Sequence, residues 1–274
     1  MRGGVCSNSL RSISSSNRAT RNGSPNLNSS AFDVRPREPV TVLNAAGGGA
    51  LVLTCEHASC AVPAEYNNLG LHVDSLMEHI GWDVGAQEVT EALAAHFNAT
   101  AVCSGVSRLV IDCNRDLPDH DLIVATSHGV SIPGNALLSV EERARRIRDF
   151  YDPYHASVDA IVAQRPEAML LSVHSFTPVL NGRERPFDVG VLFDDYADEA
   201  RALGAVLAEA GLRVRFNEPY SGLDGLIFSA RKHGMRHGVR YLELELNNSR
   251  LRERSQIAMV AGTVARAWSQ CFGV

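Results

Sequence analysis

From Pro39 onward the chain alternates short apolar runs, rich in branched residues, with longer stretches of helical periodicity. That alternation restricts the fold more than any other feature. Runs such as 168–173, apolar on successive residues rather than every second one, belong to strands covered on both faces. Strands are expected at Val40–Leu43, Ala50–Cys55, Ala99–Cys103, Arg108–Asp112, Ala168–His174, Asp188–Phe193, Leu212–Phe216 and Val239–Leu246. Helices are expected at about 84–97, 139–164, 195–210 and 251–270. Ser139, with Glu142 three residues on, predicts a capping box, and Pro153 predicts a kink or split in the second helix. The pattern predicts a single α/β domain, a mostly parallel mixed sheet flanked by helices. Polar loops with Gly and Pro are expected at 114–138, 175–187 and 217–236, where binding groups gather at strand ends.

Residues 1–38 are read as a disordered N-terminal tail, leaving 39–274 as the folded domain. Met1 to Phe32 holds four arginines, many Ser and Asn and no acid. It has no apolar centre for a secretory signal and no apolar face for a transit helix. A formal charge of −5 argues against a nucleic-acid partner, and no apolar run approaches the roughly 20 residues that cross a bilayer. The six cysteines form no Cys-x-x-Cys pair, and most lie in or beside apolar runs, as reduced buried thiols do. These features predict a cytoplasmic protein acting on something small, of unassigned oligomeric state.

Two strand-like runs end in histidine: Leu51-Val-Leu-Thr-Cys-Glu-His57 and Met169-Leu-Leu-Ser-Val-His174. Ligands gather at the carboxyl ends of strands in open α/β sheets, and neutral imidazole is a common zinc ligand. His57 and His174 are therefore candidate ligands for Zn2+. A third ligand is sought in Asp83 or Glu56. Glu56 carries the handicap that neighbours on a strand face opposite ways, and Asp83 could equally cap a helix. Glu243 and Glu245 share one parity on the last strand, so one of them should meet a water or a basic group. Arg108, Asn114 and Arg115 bracket a short apolar run and could recognise a carboxylate, although a structural ion pair would explain the arginines too. His233 and His237 read equally as surface residues. Tyr154-His155 fits packing or hydrogen bonding behind a site. Ser59, Cys60 and Ser175 would serve as nucleophiles only without a metal.

Five segments, Cys55-Glu-His-Ala-Ser59, Ile80-Gly-Trp-Asp-Val-Gly-Ala86, Ser107-Arg-Leu-Val-Ile-Asp-Cys-Asn-Arg115, His174-Ser-Phe-Thr-Pro178 and Asn217-Glu-Pro-Tyr-Ser-Gly222, stand in the order seen in N-formylglutamate amidohydrolases. Over roughly 50–270 the chain resembles that family. The resemblance implies a zinc-carboxypeptidase-like (phosphorylase/hydrolase-like) fold and hydrolysis of an N-acyl amino acid, such as N-formyl-L-glutamate in histidine breakdown. It implies His57, His174 and Asp83 as metal ligands and Glu245 as the catalytic carboxylate. Arg108, Asn114 and Arg115 are implied as the cluster that holds a substrate carboxylate, and Arg108 is expected also to steady the oxyanion that develops at the reacting carbonyl. One departure stands out: relatives often read Glu-Ile-Arg-Gln-Asp where this chain has Glu245-Leu-Asn-Asn-Ser249.

Overall fold

The computed structural model describes residues 38–274, so the expected tail, and Cys6 with it, lies almost wholly outside the described residues. Seven strands build the central sheet: β1 (Val40–Leu43), β2 (Leu51–Cys55), β3 (Thr100–Ser104), β6 (Met169–Phe176), β9 (Val189–Leu192), β10 (Val214–Phe216) and β11 (Tyr241–Asn247). Two small hairpins, β4 (Thr126–Ser127) with β5 (Val130–Ser131) and β7 (Val179–Leu180) with β8 (Arg183–Glu184), project from the loops. The sheet order is β1-β3-β2-β6-β11-β9-β10. Its four central strands, β3, β2, β6 and β11, run parallel. β1 joins β3 and β9 joins β11 antiparallel, which makes the sheet mixed.

The helices are α1 (Val73–Met77), α2 (Ala86–Phe97), α3 (Val140–Arg146), α4 (Asp152–Ala163), α5 (Ala197–Glu209), α6 (Phe228–His237) and α7 (Arg254–Phe272). Successive side chains on a strand face opposite ways, so each strand feeds two cores. On one face Leu53, Leu171 and Leu244 pack with Leu93 of α2, Leu203 of α5 and Trp268 of α7. On the other, Val52, Leu170 and Tyr241 pack with Tyr154 and Val158 of α4 and Ala230 of α6. Among the described residues no helix is long and apolar enough to cross a membrane. Cys55, Cys60, Cys103 and Cys113 are buried and unpaired, and Cys271 is free as well.

Three expectations need correction. Arg108–Asp112 is a run of turns, not a strand. Ser107 accepts from the Leu109 amide, donates to Gly81 O and, through its carbonyl, accepts from the Val110 amide. Those local bonds compete with a ladder, and Leu109, Val110 and Ile111 are buried without joining the sheet. The helix expected over 139–164 is split just ahead of Pro153 as expected, by a π turn at Ile147–Tyr151, and it is the capping box that needs correction. Ser139 does cap it, accepting from the Glu142 amide, but the Glu142 carboxylate pairs with Arg145 and Arg146. Finally, the loop expected over 217–236 contains α6. Its sequence is too polar to display a helical stripe, and Gly234 interrupts it. A Cβ at Gly234 would lie 2.2 Å from the Tyr241 ring, so glycine is what lets this helix close on β11.

Candidate active site

Along β6 the face bearing Leu170 continues through Ser172 to His174, and along β11 the same face runs Tyr241, Glu243, Glu245. Both series are apolar where the strand begins and polar where it ends. The register sets Glu245 beside His174 and Glu243 beside Ser172. β2 stops at Cys55, and the turn after it delivers Glu56 and His57 to the same end of the sheet. A cavity of about 200 Å³ opens there, lined by His57, Asp83, Arg108, Asp112, Asn114, Arg115, His174, Glu243 and Glu245, together with His79, His128 and Tyr220. Of the residues expected to hold the metal, act on water or bind substrate, only Glu56 does not reach this cavity wall; it lies behind it.

The two imidazoles meet edge to face, 4.6 Å between ring centroids. His57 Nδ1 is 3.4 Å and His174 Nδ1 2.8 Å from Asp83 Oδ2. One ligand atom each from His57, Asp83 and His174 falls within 4.8 Å of the others. Asp83 is not a helix cap: Gly85 occupies that position, and the Asp83 carboxylate accepts from the Ser175 amide. The far nitrogens are occupied as well. His57 Nε2 is 2.7 Å from Asp112 Oδ1, and His174 Nε2 is 3.0 Å from Glu56 Oε2.

This arrangement fits a divalent metal. A carboxylate can only accept, so Asp112 and Glu56 place a proton on each Nε2 and direct each Nδ1 toward Asp83. His57 Nδ1 is buried without a hydrogen-bond partner, an orphan that a cation would satisfy. Two imidazole nitrogens and one carboxylate oxygen are a donor set that suits zinc in sites keeping an open position. Burial disfavours ionising Asp83, yet His57 and His174 hold its carboxyl well below the ordinary range. Burial also opposes a charge on His174, but Glu243, Asp83 and Glu56 hold its imidazole well above the usual value.

Glu245 projects into the cavity with Oε2 buried and unpartnered. Burial and the neighbouring Asp83 charge push its carboxyl well above the usual value. Space beside it depends on Gly190, the cross-strand partner of Glu245, whose Cβ would strike the Glu218 carbonyl. Glu243, pushed up to about 7 mainly by burial, accepts from Asn114 Nδ2 at 3.2 Å. Asn114 also accepts from the Ser229 amide. Arg108 donates to Asp112 at 2.9 Å and lies 3.5 Å from Asp83, the structural ion pair that the sequence had left open. Arg115 donates through Nε to Asp121 and through Nη1 to the Asn114 carbonyl.

Several candidates lie elsewhere. His233 Nε2 is 2.9 Å from His155 Nδ1, and His237 pairs with Asp159. Ser59 accepts from the Ala61 amide, and neither it nor Cys60 lines the cavity. Ser175 does line it, but its hydroxyl donates to Val84 O. Asn247, at the position where relatives often carry arginine, donates to Phe187 O and accepts from Ser249, away from the cavity. Sequence reasoning missed His79, His128 and Tyr220, which no spacing rule links to the histidines.

The family model for N-formylglutamate amidohydrolase matches residues 49–251, well over half of the chain. No curated protein sequence matches at a significant level. Among solved structures, a gene product of Agrobacterium tumefaciens is 35% identical with a TM-score of 0.84, covering 88% of this chain and 98% of its own. An N-formylglutamate amidohydrolase from Ralstonia eutropha is 20% identical with a TM-score of 0.67, covering 84% and 95%, and bears on the fold alone. With the family model spanning the strand ends that carry His57, His174 and Glu245, the chain belongs to the N-formylglutamate amidohydrolase family, a family of hydrolases.

Proposed function

We propose that this protein is a zinc-dependent amidohydrolase that removes a short acyl group from an N-acyl amino acid, N-formyl-L-glutamate being the first substrate to test. The observation that carries the reading is the His57, Asp83 and His174 cluster, with its orphaned Nδ1, opening beside the unpartnered carboxyl of Glu245. His57, Asp83 and His174 would hold the ion. Zinc, when bound, supplies a Lewis acid and makes a nucleophilic water available near neutral pH. Glu245 takes the proton from the attacking water and returns it to the leaving nitrogen as the amide bond breaks. Arg108, anchored by Asp112, offers a fixed positive charge to the oxygen that becomes anionic, and Arg115 is the candidate for the substrate α-carboxylate. Asn114 contributes by holding Glu243.

The cavity is smaller than the roughly 300–1,000 Å³ of drug-sized sites, which favours a small amino-acid derivative. The cysteines are unpaired among the described residues, in keeping with the cytoplasmic setting proposed for the enzyme. The deciding experiment is a screen of N-formyl, N-acetyl and N-carbamoyl amino acids with and without chelator. Hydrolysis of an N-formyl amino acid that chelator abolishes and zinc restores is the expected result. Full activity in the chelator-treated, metal-depleted protein would refute the metal assignment.

A further inference from the structure

We infer that Glu56 and Tyr154 are positioning residues that hold His174 from behind and orient its Nδ1, and that Glu56 is neither a metal ligand nor a base. The inference rests on the metal-hydrolase reading above. Glu56 is buried and its two oxygens are fully engaged by donors from three side chains. Tyr154 OH of α4 donates to Oε1 at 2.7 Å, and Ser172 OH of β6 donates to Oε2 at 2.7 Å. His174 Nε2 lies 3.0 Å from Oε2. A carboxylate so surrounded is fixed in rotamer and in charge, and it has no oxygen left to turn toward the cavity, which it does not line.

The chain builds this support at some local expense. An uninterrupted α-helix over 140–163 would require an amide at Pro153 and room for its ring against the preceding turn. The π turn at Ile147–Tyr151 adds a residue to the spiral and rotates α4 relative to α3 by about 100°. After that rotation Tyr151 and Tyr154, three residues apart, share the face turned to the sheet. Tyr151 OH donates to the Arg115 carbonyl and Tyr154 OH to Glu56. A helix that packs on apolar side chains thus also ties two tyrosine hydroxyls to the loop and the carboxylate bordering the site. Glu56→Gln cannot replace the carboxylate, because its amide oxygen would serve at most two of the three donors while its NH2 was turned against a remaining one.

The test uses the full-length protein, zinc alone and no substrate. Zinc affinity is measured by chelator competition for wild type, Glu56→Gln and Tyr154→Phe. The His174 ring resonances are followed by 15N-edited NMR in the zinc-loaded forms. Glu56→Gln is expected to weaken zinc binding about 10- to 100-fold and to shift the His174 Nε2–H resonance. Tyr154→Phe, which keeps the ring packing and removes one donor, is expected to weaken binding about fivefold, so the idea stays testable if Glu56→Gln does not fold. Wild-type affinity and an unmoved His174 resonance in the folded variants would overturn the inference while leaving the metal assignment intact. A wild-type protein that binds no zinc would instead overturn the reading beneath it, and the inference with it.

Discussion

The two faces of the central sheet are built from the same strands to different ends. One is closed by α2, α5 and α7, regular helices whose apolar stripes meet Leu53, Leu171 and Leu244. The other is covered by α4, broken from α3 by a π turn, by the polar α6 and by the turns around 107–113, and it carries His174, Glu243 and Glu245 at its carboxyl end. The cavity opens on this second face, and the turns around 107–113 help to wall it through Arg108, Leu109 and Asp112. Stability and chemistry are thereby assigned to opposite sides of the same backbone.

The sharpest way to break that division is at the ligands. His57→Ala should abolish stoichiometric zinc and turnover together, read by elemental analysis and the amide-hydrolysis assay, with the fold retained by circular dichroism. Retained zinc would remove His57 from the site. Next comes a comparison of neighbours on β11. Glu245→Gln should keep zinc and lower kcat by about 10²- to 10⁴-fold. Leu244→Ala, one residue away but facing the other core, should cost about 2–5 kcal/mol in urea unfolding and leave kcat of the folded enzyme nearly unchanged. A large kcat loss in Leu244→Ala would mean that the two faces are coupled.

The smallest expected effect lies where neither core reaches. Asp188, at the entry to β9, accepts from Arg213 and Arg250; burial opposes its ionisation, yet these bonds hold its carboxyl at about 2. A folded-state value below the unfolded one contributes stability above about pH 4, and that contribution is lost as the pH falls toward 2. Asp188→Asn should therefore destabilise by about 1–2 kcal/mol at pH 6, since both arginines are half exposed and partly screened. The difference from wild type should shrink between pH 4 and pH 2. A gap that stayed constant over that range would remove the ion pairs as its cause.

Much of this arrangement can be read from residue order. Continuous apolar runs mark β2 and β6 as covered on both faces, and period-two spacing along β11 puts Glu243 and Glu245 on one side. The stripe Ile257, Val260, Val264, Trp268 marks α7. Where local chemistry competes with pattern the reading fails. Ser107 captures the backbone that the apolar run Leu109–Ile111 marks as a strand, and Gly234 with its polar neighbours conceals α6. Glu56 carries a handicap as a ligand if it sits on a strand, where neighbours oppose each other. In the fold it has already left the strand and meets His174, 118 positions away.

Residue order alone determined which strands end in imidazole or carboxylate, because side-chain alternation and apolar burial are local consequences of composition. Tertiary structure decided what each of those groups faces. Asp112 behind His57, Glu56 behind His174, and Asn114 against Glu243 are pairings across 55, 118 and 129 positions. Hydrogen bonds of that span have no signature in local periodicity, since they come into being only when the sheet order brings distant strand ends together.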